Sequence, residues 1–248
     1  MNVIVHSGPP YRLADDVYVC ATSRGAVFLD LKKDEYIGID AHQAHALAPL
    51  VQGWPEVMGN ASTSIPSPAV PTEVESAFAR SLCAQGLLCE SPACAARSSC
   101  LLSVATDELV AWECMPAHDV RPRHVFRFLW ALVVSLFMLH CRSLHATVKR
   151  CERRRDARTA SDICDPQIAA RLLGIYTHIR MFVFARRARC LIDSITLVEF
   201  LAAYGVYPCW VIGVQVRPFA AHSWVQTGQF VLNGTPAFIR SYRPIVVV

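Results

Sequence analysis

Several familiar signatures are missing from this 248-residue sequence, and each absence removes a class of function. There is no Gly-x-x-x-x-Gly-Lys-[Ser/Thr] phosphate loop, so a nucleotide site of that type is not expected within the chain. Eleven cysteines are present, yet Cys83, Cys89, Cys94 and Cys100 stand too far apart for Cys-x-x-Cys knuckles and have no histidine among them, which argues against a structural metal site. The first residues lack a basic stretch followed by a signal-length apolar core, so the thiols are expected to be reduced and the protein cytoplasmic. The formal charge is only +4, and the basic clusters at 149–155 and 186–189 are not interleaved with stacking aromatics. Solvated helix faces account for them better than a nucleic-acid surface does. The apolar run 125–140 contains Arg127 and is short for a bilayer, so no stable membrane insertion is expected. No internal repeat and no long low-complexity segment appears.

What is present is an α+β pattern long enough for two domains, with 53% apolar residues. Val17 to Ala21, Ala26 to Leu31 and Glu35 to Ile39 read as three strands separated by turn signals at Ser23-Arg24-Gly25 and Lys32-Lys33-Asp34. Asp40 is placed to cap a helix running to Val51, and Thr72 another running through Cys83 to about Leu88. A peptide could add to the edge of such a sheet, with Glu35 to Ile39 and the following helix forming the groove and with Tyr36 and Ile39 contacting the peptide. Filling the module's own core is an equal expectation for both residues. Residues 91–117 read as a linker. Arg121 to Arg150 reads as one or two helices, and Asp165-Pro166 opens another through about Arg187.

The chemistry concentrates near the C-terminus. Cys190 opens a helical pattern ending at Gly205, where the positive helix end and the preceding Arg186, Arg187 and Arg189 favour thiolate, the reactive form of cysteine. Cys209 to Val216 reads as a strand and a second follows around His222 to Val225, which makes His222 the candidate base 32 residues after the thiol. Trp224 is expected beside His222, shielding it from water and bordering the substrate, or serving as an ordinary core tryptophan. The remaining cysteines lack a comparable base.

These residues carry a family resemblance. Cys190-Leu191 with the helix behind it, Val211-Ile212-Gly213-Val214, Arg217-Pro218-Phe219, His222-Ser223-Trp224-Val225 and Val231-Leu232-Asn233 together resemble the lasso-peptide B proteins, the leader peptidases of lasso-peptide biosynthesis. The strand-then-helix order of the first ninety residues resembles the PqqD-like precursor-recognition element. The resemblance implies a winged-helix-like PqqD-type module at 1–90, the linker at 91–117 and a papain/transglutaminase-like cysteine peptidase domain at 118–248. It implies as partners a ribosomal precursor peptide, bound through its leader, and an asparagine-synthetase-like macrolactam synthetase. No directly bound cofactor is implied, and any ATP requirement belongs with the synthetase.

One position departs from the pattern. An Asp is expected directly after Asn233, and this chain has Gly234. An amide oxygen can orient a histidine as a carboxylate does, so Asn233 is the first substitute as third member of the site. Asp193, three residues after Cys190, is less attractive because a carboxylate near the thiol opposes thiolate formation. Gln226 is a further possibility. Two other functional classes stay open: a transglutaminase-like acyltransferase, whose thioester is captured by an amine, and a non-catalytic protein that delivers the precursor.

Overall fold

The computed structural model describes residues 9–55, 72–90, 107–108, 120–156, 166–184 and 190–248. The chain divides into two compact units, Met1–Ser99 with Val216–Phe219, and Cys100–Gln215 with Ala220–Val248.

The N-terminal unit runs β1 (Tyr11–Leu13), β2 (Val17–Thr22), β3 (Gly25–Asp30), β4 (Glu35–Ile39), α1 (Ala41–Leu47), β5 (Val51–Gln52), α2 (Glu73–Ala84) and β6 (Leu88–Glu90). The three expected strands form an antiparallel sheet in the order β2-β3-β4. Central β3 is buried along its whole length, as a run of Ala-Val-Phe-Leu demands. The turn after it is held by Asp30, whose Oδ1 accepts from the Lys32 and Lys33 backbone N–H groups. Both helix starts were legible: Asp40 with Gln43, and Thr72 with Glu75, form reciprocal capping boxes. The second helix stops earlier than the sequence pattern suggests. Gly86, at φ +80°, turns the chain, and Leu88 enters a second small sheet, β5-β1-β6. Phe28, Leu47, Ala79, Leu82, Leu87 and Leu88 are fully or almost fully buried in one cluster that also takes in Ile39. Ile39 therefore fills the module's own core, whereas Tyr36 is half-buried on β4, an edge strand of its sheet.

The second unit comprises β7 (Asp107–Glu108), α3 (Pro122–Cys141), α4 (Leu144–Asp156), α5 (Pro166–Val183), α6 (Cys190–Ala202), β8 (Cys209–Gln215), β9 (Ala220–Thr227), β10 (Phe230–Val231), α7 (Pro236–Ile239) and β11 (Arg243–Val247). Its sheet has the order β11-β8-β9-β10-β7. The expected linker lies mostly outside the described residues, but its Asp107–Glu108 pair forms the strand beside β10. The helices meet through a chain of aromatic rings: Phe128 on α3 packs on Tyr176 of α5 and Phe200 of α6, and Phe200 on Tyr204. A second tie is ionic. Glu199 on α6, 9% exposed, accepts paired hydrogen bonds from both Arg150 and Arg154 of α4, which explains part of the basic cluster as internal neutralisation.

Helix α3 is 20 residues long and apolar enough by length and composition to cross a membrane. Phe128, Ala131, Ser135 and Met138 are nevertheless buried within the unit, and Arg127 donates to the Ala203 carbonyl and lies over the Tyr204 ring. At its start, the buried His124 accepts from the Arg121 backbone N–H through Nδ1. Burial and the nearby arginines hold His124 below its ordinary value of 6.5. The sign follows: the unfolded chain takes up the proton more readily, so this contribution to stability is fully present above about pH 6.5 and is lost as pH falls through the lower folded value. Melting temperature is expected to drop between pH 7 and 5, and to drop less in His124→Gln. An equal slope in the variant would assign the acid sensitivity elsewhere.

Candidate active site

Cys190 is the first residue of α6, with its side chain half-buried, at the end of the helix where backbone N–H groups lack intrahelical acceptors. His222 stands on β9, opposite Gly213 of β8. Both line one cavity of about 450 Å³, together with Arg180, Phe184, Asp193, Ser223, Asn233, Gly234, Thr235 and Phe238. The expected thiol and base are thus brought to the same pocket. The cations Arg186, Arg187 and Arg189 lie outside the described residues.

The histidine sits in an aromatic cradle. Trp224 stacks on it at 6.2 Å and 16°, Phe238 meets it edge-on at 5.0 Å, and Tyr242 lies 5.2 Å away. Gly213 makes this possible, because a Cβ there would come within 2.6 Å of the Trp224 ring. Trp224 is 1% exposed and donates its Nε1 hydrogen to Gln226. It supports His222 from within the core and offers no surface to a substrate, which corrects the substrate-binding expectation. Gln226, committed to Trp224 and to the Gly228 carbonyl, does not orient His222.

Asn233 also differs from expectation. Its Oδ1 accepts from the Val225 backbone N–H at 2.7 Å, while its Nδ2 donates to Ser194 Oγ at 3.0 Å and Asp193 Oδ2 at 3.3 Å. No hydrogen bond joins it to His222. The amide oxygen that was to fix the imidazole is occupied by β9 backbone, so Asn233 clamps the strand bearing the base to the helix bearing the thiol. Among the described residues, none offers a hydrogen-bond partner to the buried His222 Nε2. Burial pushes the His222 pKa down, and the Asp193 carboxylate opposes that.

Asp193 is the pocket residue that sequence reasoning undervalued. Its side chain is 7% exposed and accepts from Tyr176 Oη at 2.9 Å, pairs with Arg180 at 3.1 Å and receives Asn233. A signal was available: Asp193 is an acid on a largely apolar helix, and a buried acid there needs donors from neighbouring elements. Cys151, by contrast, is buried beside Glu199 and its thiol is pushed up to about 12, which leaves it inert. Among the described residues no group of three or more His, Cys, Asp or Glu is placed to hold a metal; Cys94 and Cys100 lie outside them.

A thiol at a helix start and a histidine on the adjacent strand, lining one pocket, are groups that can supply a nucleophile and a base for acyl chemistry. Residues 135–247 match the family described as Transglutaminase-like superfamily. This segment is a transglutaminase-like domain. The domain takes in Cys190, His222, Asp193 and Asn233, along with every strand of the sheet except β7. No curated protein and no solved structure matches the chain. A transglutaminase-like domain is compatible with either a cysteine peptidase or an acyltransferase, since both proceed through a thioester.

Proposed function

We propose that the protein is the leader peptidase of a lasso-peptide pathway, hydrolysing the amide between leader and core of a ribosomal precursor. The observation that carries this reading is the pocket in which Cys190, at the start of α6, and His222, on β9, meet within the transglutaminase-like domain. The Val211–Val214 and His222–Val225 segments that carry the resemblance to lasso-peptide B proteins lie on its two central strands. In the proposed reaction His222 takes the Cys190 proton, and sulfur attacks the scissile carbonyl. The backbone N–H groups at the start of α6 receive the developing oxyanion. His222 then returns the proton to the departing amine, and water hydrolyses the thioester. The released amine is the new core N-terminus, the group that a partner macrolactam synthetase would join to an acidic side chain.

Leader recognition falls to the N-terminal unit, as a PqqD-like module. Support comes from β4, which pairs with β3 on one side and stands at the edge of its sheet, where an added strand gains main-chain hydrogen bonds. Tyr36, half-buried on that strand, is retained as a contact; Ile39 is not, being core.

The test is incubation of the precursor encoded beside this gene with wild type and with Cys190→Ala, with and without synthetase and ATP, followed by mass spectrometry. Cleavage is expected with wild type alone or with the synthetase, and none with Cys190→Ala. Cleavage by the variant would reject the thiol mechanism. An adduct between the leader and an added amine, formed in place of hydrolysis, would move the assignment to acyltransferase.

A further inference from the structure

We infer that Asp193 is the positioning residue of the Cys190–His222 pair: a fixed, buried carboxylate that favours charged His222 across the pocket, without a hydrogen bond to it. The inference rests on the thiol reading above and names the group that makes the pair work in this chain.

Three observations converge. Among the described residues lining the cavity, Asp193 is the only acid. It cannot swing toward the imidazole, because both its oxygens are engaged, Oδ1 by Tyr176 and Oδ2 by Arg180 and Asn233. Those donors hold the carboxylate at one point. The third observation concerns the neighbouring backbone. Gly234 has φ +153°, and a Cβ there would meet Ile239 Cδ1 at 3.3 Å, so a carboxylate-bearing residue directly after Asn233 would be strained.

The charged and titratable groups around His222 decide the sign. Cys190 and Asp193 come from α6, Arg180 from α5, and Tyr242 from beyond α7. Arg180 opposes Asp193, but its side chain is 36% exposed against 7% for Asp193. Solvent therefore screens the cation more than the anion, and the net field at the imidazole favours the proton. When Cys190 gives its proton to His222, the Asp193 carboxylate stabilises the imidazolium, and Arg180, paired with Asp193, limits its repulsion of the thiolate.

A purely structural role, tying α5 to α6 through Tyr176 and Arg180, is the competing account. The two are separated by the pH profile of Cys190 alkylation with iodoacetamide on the full chain, read by mass spectrometry of the Cys190 peptide, with circular dichroism as the check on folding. This readout needs no precursor. In Asp193→Asn the limb set by His222 is expected to move to lower pH by about one unit, a tenfold change in the proton affinity of the imidazole. In Arg180→Gln that limb is expected to move the opposite way. Equal profiles in wild type and Asp193→Asn, or movement of both variants in one direction, would overturn the inference. If Asp193→Asn does not fold, Arg180→Gln decides, an upward shift supporting the inference and none overturning it. A wild-type profile unaffected by His222→Ala would instead reject the Cys–His pair itself, and the inference with it.

Discussion

Cys190→Ala and His222→Ala are each expected to lower the rate of precursor cleavage by about 10³-fold or more, with the double variant no slower than the worse single. The reason is that the two groups act as one device. The thiol is a poor nucleophile until its proton has somewhere to go, and the imidazole has nothing to activate once sulfur is gone. A general base alone is worth about 10²–10⁴-fold in such chemistry. Single-turnover cleavage followed by mass spectrometry makes the comparison, since it separates the chemical step from leader binding. Multiplicative losses in the double variant would mean that the two residues act independently, which their common pocket argues against.

Asn233→Leu is expected to destabilise the protein by about 2–4 kcal/mol and to impair catalysis beyond what instability explains. Asn233 is 8% exposed and satisfies groups on two elements, the Val225 N–H on β9 and the Asp193 carboxylate and Ser194 hydroxyl on α6. Leucine keeps most of the volume but leaves a buried N–H unpaired and a buried carboxylate short of a donor, each costing about 1–3 kcal/mol. It also frees the thiol helix from the strand carrying the base, and small misplacements of reacting groups are costly. Urea denaturation measures the first effect. The second is read as residual cleavage by the folded fraction well below the transition. A variant as stable and as active as wild type would show that the clamp is dispensable.

Elements with a local code could be read from the chain. Asp40 with Gln43 and Thr72 with Glu75 announce two helix starts through side chains three residues apart. Alternation and turn residues mark β2, β3 and β4 almost to the residue. Strands β1, β5 and β6 could not be read in this way. Each is two or three residues long, and each is a strand only because the others lie beside it. The same limit applies to Leu88, assigned by pattern to a helix end and turned by Gly86 into a sheet.

The candidate site divides along the same line. Cys190 at the start of a helix and His222 on a strand are evident from type, context and spacing, because helix ends and β-patterns are written over a few consecutive residues. The roles of Asn233 and Asp193 are not. Asn233 stands next to the position where an orienting group was expected, yet its oxygen is taken by a backbone N–H eight residues away in sequence. Asp193 looks unfavourable beside a thiol until Tyr176 and Arg180, on a different helix, are seen to hold and partly neutralise it. A hydrogen bond is spent on whichever donor the fold brings within about 3 Å. Residue type and order therefore establish which groups can do chemistry here, and packing alone decides which partner each buried polar group takes.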